Sequence, residues 1–202
     1  INEALAKNHP PRRLTYKGVP ELGEIVLENG KYNEWPAEAK KSYVDADKTF
    51  SATLSNGETR MIIYYQNSDD GHFFLAHPTI NYAERLQAFA LEYANTWGVT
   101  NGVDDPSKYF RIVGGTRSYA KQLRLYYDDD PTPAAKPGRS NHGFGIAFDL
   151  HPGNEKANYN DAETKWILAK LPEYGFSNSE GKKVNEAWHH TIDANGWEKM
   201  FK

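Results

Sequence analysis

Two chemistry-bearing side chains, His142 and Asp149, stand seven positions apart in the run Ser140-Asn141-His142-Gly143-Phe144-Gly145-Ile146-Ala147-Phe148-Asp149. On one regular strand they would point to opposite faces, because side chains alternate along a strand. They meet only if the chain bends between them. Gly143 and Gly145 permit that bend, since glycine tolerates backbone angles that other residues avoid. The spacing therefore predicts a loop carrying His142 that runs into a strand carrying Asp149. Further along stands Glu186-Ala187-Trp188-His189. Two imidazoles and one carboxylate are then available as metal ligands, with Glu186 three residues before His189 as an acid or base beside them. Strand alternation sends His189 and His190 to opposite faces, so only one of them reaches the metal, and the spacing from Glu186 selects His189. His151 shares the strand face of Asp149 and is a possible substitute ligand.

The 202-residue chain has no cysteine. Disulfides, thiol chemistry and cysteine-built structural zinc sites are thereby excluded. Any zinc must sit among His, Asp and Glu, and three protein ligands with one open position make a site that activates water. The net charge of −3 gives no basic field to draw nucleic acid. No apolar run approaches the length of a membrane span. The chain begins at Ile1, which leads us to expect that a signal peptide, propeptide or other segment preceded it.

From about Tyr82 to Trp97, Leu86, Phe89, Ala90, Tyr93 and Trp97 recur at helical spacing, with Gly98 as a left-handed stop. Strands are expected at 49–54 and 59–66 around the hairpin turn Ser55-Asn56-Gly57-Glu58. Further strands are expected at 109–113, 146–150 and 188–192. Ser118 is placed to cap a helix over 119–127, and Asp161 one over 162–171 that stops at Pro172. Residues 128–138 read as a loop, and Tyr174-Gly175-Phe176 as a turn. Helices alternating with strands over short connections predict an α+β fold, an antiparallel sheet with helices packed mainly on one side. A boundary near His77-Pro78 divides the chain into an N-terminal extension or accessory region with a β-hairpin (1–78) and a catalytic domain (79–202).

Ser140-x-His142-x-x-Gly145-x-Ala147-x-Asp149, followed by Glu186-x-Trp188-His189, resembles the zinc D-alanyl-D-alanine carboxypeptidases and L-alanyl-D-glutamate endopeptidases. These enzymes group in fold with lysostaphin-type enzymes and the hedgehog signalling domain. Gly115-Thr116-Arg117-Ser118-Tyr119-Ala120-Lys121-Gln122 matches that family's Gly-x-Arg-Ser-x-x-x-Gln, and the resemblance spans roughly 81–197. It implies one Zn²⁺ per chain on His142, Asp149 and His189, with Glu186 as general base and Arg117 steadying the substrate carbonyl oxygen. The implied substrates are peptide stems of bacterial peptidoglycan. Ser140, Ser118, Gln122, Trp188 and His190 are assigned to substrate binding. A carboxypeptidase needs a cation for the free terminal carboxylate, and Arg117, Arg124 and Arg139 are the candidates, while an endopeptidase needs an open groove. Such an enzyme acts outside the cytoplasm, or is phage-encoded and acts on the wall. Tyr16, Tyr32, Trp35 and Tyr43 are candidates for a wall-binding surface. The competing reading is a non-catalytic zinc-containing recognition module, which has no need of Glu186. A sugar-binding domain built on the 13 Tyr and 5 Trp leaves the spacing of the motif unexplained. The sequence does not set the oligomeric state.

Overall fold

The computed structural model describes residues 13–15, 24–28, 31–32, 43–66, 72–74, 81–100, 102–117, 119–127, 134–136, 140–143 and 145–192. At 13–15, 24–28, 31–32, 43, 72–74 and 119–120 only the backbone is described. Strands β1 Arg13–Thr15, β2 Glu24–Glu28 and β3 Lys31–Tyr32 pair antiparallel in that order. Then come β4 Tyr43–Asp45, β5 Lys48–Thr53, β6 Thr59–Tyr65 and β7 His72–Phe74, with β4 paired to β7. β5 and β6 form the expected hairpin. Helix α1 Tyr82–Tyr93 runs into a π-helical turn, Ala94–Gly98, and a small hairpin of β8 Val99–Thr100 and β9 Val103–Asp104. β10 Phe110–Gly114, α2 Tyr119–Tyr127, β11 Ala147–Pro152 and α3 Ala162–Lys170 follow. A 3₁₀ turn, Leu171–Tyr174, leads to β12 Phe176–Ser177, α4 Ser179–Val184 and β13 His189–Ile192.

The main sheet has six strands in the order β12-β13-β11-β10-β6-β5. Its neighbours are antiparallel except β6 and β10, which run parallel. The fold is thus α+β with a mostly antiparallel sheet, as the sequence predicts. The parallel pair arises because the link between β6 and β10 is a long crossover containing α1, whereas antiparallel neighbours can be joined by a tight turn. β5 and β6 lie on the N-terminal side of the expected boundary, yet they share this sheet with β10 to β13. His77-Pro78 itself lies outside the described residues.

Alternation gives the sheet one apolar face. Ile63, Tyr65, Phe110, Ile112, Phe148, Leu150, Phe176 and Ile192 on it are wholly buried. α1 lays Leu86, Phe89, Ala90 and Tyr93 on the core. Tyr93 stacks on Phe110 at 4.3 Å, and Phe89 on Tyr174 at 4.9 Å between ring centroids. Asn81 caps α1 by accepting from the Glu84 N–H at 3.2 Å. The helix does not end in a left-handed glycine: Gly98 lies inside the π turn and has no positive φ. Its missing side chain instead lets it lie against the Asp105 carbonyl and Lys108 Cβ, each 3.4 Å from where a Cβ would stand. Asp161 occupies the N-cap position of α3, but its side chain makes no capping bond. Ser118, the expected cap of α2, lies outside the described residues, as do Tyr16 and Trp35 and the side chains of Tyr32 and Tyr43. No helix among the described residues is long and apolar enough to cross a membrane.

Candidate active site

The polar face of the sheet positions two donors by register alone. Gly114 pairs with Asp149, and Asp149 pairs with His189. Directly opposed residues in adjacent strands share a face, so the Asp149 carboxylate and the His189 ring stand side by side. His142 arrives from the loop before β11. That loop is a turn closed by the Gly143 N–H to the Ser140 carbonyl at 3.0 Å, and it enters the strand through Gly145, whose φ is +66°. A side chain at that φ is strained, which is why glycine stands there.

His142 Nε2, His189 Nδ1 and Asp149 Oδ1 form a triangle with edges of 3.2, 3.3 and 3.5 Å. A tetrahedral zinc with bonds of about 2.0–2.1 Å sets its ligand atoms about 3.3 Å apart. The donor set and its spacing therefore fit that ion. It is also the one group of three or more His, Asp or Glu with metal-site spacing among the described residues. The outer ring nitrogens are occupied: His142 Nδ1 lies 2.9 Å from the Gly115 carbonyl, and His189 Nε2 lies 3.3 Å from Glu180 Oε2. A carbonyl can only accept, so Nδ1 of His142 carries a proton, and Nε2 is the ring nitrogen turned to the cluster.

Burial alone would raise the Asp149 pKa. The imidazoles of His142 and His189 outweigh it and hold the carboxyl well below the usual range, so the group stays anionic. Burial works against a charged His189, but the hydrogen bonds it donates to Asp149 and Glu180 prevail and lift its pKa to about 9. His190 lies on the opposite strand face, beside Phe148 at 5.4 Å between ring centroids and 1% exposed. Burial first, and then the charge of His189, push its pKa down to about 3, so it is neutral. Neither of its ring nitrogens has a hydrogen-bond partner among the described residues. That placement turns His190 into the core, away from the cleft, and gives a substrate contact no support. His151 shares the face of Asp149 but is engaged elsewhere: its Nδ1 accepts from the Ala157 N–H at 3.0 Å, and its ring faces Trp188. It is not part of the donor cluster.

The three donors line a cleft of about 430 Å³ together with Glu186, Arg117, Ser140, Trp188 and Glu180. Arg117 is tied to the loop of His142 by its own N–H, which donates to the His142 carbonyl at 3.2 Å. Its guanidinium Nη1 donates to Gln122 Oε1 at 3.1 Å, and Gln122 Nε2 donates to the Ala135 carbonyl at 2.7 Å. Gln122 is 2% exposed and is not among the residues lining the cleft. Its amide braces Arg117, which corrects the expected substrate contact. Arg124 is exposed on α2 and does not line the cleft, while Ser118 and Arg139 lie outside the described residues.

Glu186 follows Asn185, whose left-handed φ of +60° ends α4 and reverses the chain. Asn178 then staples the segment, donating from Nδ2 to the Glu186 carbonyl at 3.2 Å and the His189 carbonyl at 2.7 Å. Its Oδ1 accepts from the Tyr159 hydroxyl at 2.8 Å. Asn178, Glu180 and Gly181 escape the sequence reading. The one available signal is a polar residue just ahead of a short helix, too common to single out.

Gly114 shows how closely the donors are set. A Cβ there would stand 2.6 Å from Asp149 Oδ2. The carboxylate could move aside, but only by leaving the two imidazoles. Gly114→Ala is therefore expected to weaken zinc binding by about tenfold, the scale seen when groups around metal ligands are disturbed, with the fold kept. Competition against a chromophoric chelator measures it, and an unchanged zinc affinity would show that Asp149 does not need this space.

Residues 99–192 match the family model described as VanY: D-alanyl-D-alanine carboxypeptidase. This bears out the resemblance read from the motifs: the segment that carries the donors, Arg117 and Glu186 is similar to the D-alanyl-D-alanine carboxypeptidase family model. Among solved structures, the chain is similar to VanXYg, a vancomycin-resistance D,D-dipeptidase in complex with a D-Ala-D-Ala phosphinate analogue. There the identity is 18%, over 63% of this chain and 53% of that one, with a TM-score of 0.42. It is also similar to the LD-carboxypeptidase LdcB, at 19% identity over 82% of this chain and 74% of that one, with a TM-score of 0.47. A third is the D,D-pentapeptidase VanY from a VanB-type resistance cassette in complex with Zn(II), at 19% identity over 78% and 82%, with a TM-score of 0.35. The chain spans about half the length of the first of these. No curated protein sequence matches it.

Proposed function

We propose that this chain is a metallopeptidase that hydrolyses peptide bonds in the stem peptides of bacterial peptidoglycan, with one zinc ion held by His142, Asp149 and His189. The observation that carries the reading is the donor triangle, spaced for a tetrahedral ion on the wall of a cleft that also holds Glu186 and Arg117. The match of 99–192 to D-alanyl-D-alanine carboxypeptidases favours removal of a terminal D-alanine over cleavage inside the stem. The site of action is then the cell wall, outside the cytoplasm, reached by a bacterial or a phage-encoded protein.

Bound by these three residues, zinc would supply a Lewis acid and a water of lowered pKa. The side chains do the rest. The Glu186 carboxylate takes the proton of the attacking water and returns it to the departing amine. The Arg117 guanidinium, fixed by Gln122, faces the negative charge that grows on the carbonyl oxygen. Asp149 remains anionic because two imidazoles lie against it, and Gly115 and Glu180 hold the two rings in orientation. Trp188 forms a wall of the cleft, with the Lys156 ammonium 4.1 Å from its ring centroid.

Purified stem-peptide fragments ending in D-Ala-D-Ala, digested with the zinc-loaded chain and weighed by mass spectrometry, test the proposal. The expected product has lost one alanine residue, and a chelator abolishes its formation. Fragments cut between L-Ala and D-Glu would move the reading to an endopeptidase. Fragments left intact by the zinc-loaded chain would favour a recognition module.

A further inference from the structure

Glu180 uses its two carboxylate oxygens on two different parts of the cluster. Oε1 accepts from Asn141 Nδ2 at 2.7 Å, and Oε2 lies 3.3 Å from His189 Nε2. Asn141 immediately precedes His142, and the opposite nitrogen of His189 is the one that faces Asp149 and His142. One carboxylate thus ties the loop of the first imidazole to the ring of the second. The two imidazoles also differ in their outer partners: His142 leans on a neutral backbone carbonyl, His189 on an anion. A ring whose outer N–H faces a carboxylate is fixed in tautomer and rotation and is the stronger donor. Neither Asn141 nor Glu180 belongs to the motifs that carry the family resemblance.

We infer that Glu180 is a positioning residue for the metal centre, orienting His189 and strengthening it as a donor, with Asn141 holding the carboxylate in place. This rests on the zinc reading of the donor cluster. Glu180 also lines the cleft, so the competing role is a direct contact with substrate. Metal affinity separates the two, because a substrate contact leaves it unchanged.

The test is zinc affinity of the full chain, measured by chelator competition, beside the melting temperature of the metal-free form. In Glu180→Gln an amide NH₂ must face either Asn141 or His189, both of which are donors here. The expected result is a zinc dissociation constant raised about tenfold or more, with little change in metal-free melting. Asn141→Ala, which leaves Glu180 itself in place, should shift the constant in the same direction by less, and it carries the test if Glu180→Gln does not fold. Wild-type zinc affinity in both variants overturns the inference, as does a raised KM in Glu180→Gln with zinc affinity unchanged. Failure of the unmodified chain to take up zinc is a different result and removes the donor-cluster reading instead.

Discussion

Glu186→Gln is expected to keep its zinc and lose hydrolysis of wall peptides by about a hundredfold to ten-thousandfold, the usual contribution of a positioned general base. That loss corresponds to roughly 2.7–5.5 kcal/mol of barrier. The substitution is clean because the residue's backbone is held without its side chain. Its N–H donates to the Gly181 carbonyl at 2.8 Å, and its carbonyl accepts from Asn178 and from the His189 N–H. A glutamine therefore stands where the glutamate stood and differs in its inability to take a proton. Zinc content is unaffected because the donor cluster does not include Glu186. The two glutamates of the cleft also separate by occupation, since the Glu180 oxygens already serve Asn141 and His189. Turnover near that of the unmodified chain in Glu186→Gln would remove Glu186 as the base, and a loss of zinc would mean that it helps to build the metal site.

The sequence exposes this site where chemistry and backbone geometry coincide in a short run. His142 and Asp149 are legible because the glycines between them announce the bend, and Gly145 makes it with a positive φ. His189 and His190 separate by strand alternation, and the structure puts them on opposite faces. Gly114-Gly115 gives no local sign of what it does for the donors. In the structure one glycine makes room for a carboxylate and the other offers its carbonyl to an imidazole. Such roles belong to partners that lie 27 or more positions away, which no local pattern records. α4 goes unseen for a related reason: six residues with a glycine inside give no apolar stripe. Gly98 misleads because glycine after a helix usually signals a left-handed stop, whereas here the helix widens into a π turn and the glycine serves packing. The expected boundary near 78 fails to anticipate the shared sheet because the hairpin gives no sign that β6 will pair with β10, a strand that follows α1.

Gly181→Ala is expected to damage the site without touching any residue that does chemistry. A Cβ on Gly181 would collide with the Glu186 carbonyl oxygen and with Asn178 Nδ2, and would stand 2.7 Å from the His189 carbonyl oxygen. Two of these are backbone atoms of the segment that carries Glu186 and His189. The third belongs to the side chain that staples that segment and is itself held by Tyr159. None is the loose end of a flexible side chain, so the segment must move. Overpacking of this kind costs about 1–3 kcal/mol. For a chain of this size that is a fall in melting temperature of about 2–12 °C. Turnover should drop further than stability suggests, by about a hundredfold, because a shift of about 1 Å in catalytic groups is enough for that. Lys182→Ala, on the exposed side of the same helix, is the control and should change neither quantity. If Gly181→Ala matches the unmodified chain in melting, zinc affinity and turnover, α4 does not brace the cleft, and Glu186 and His189 are held by the sheet alone.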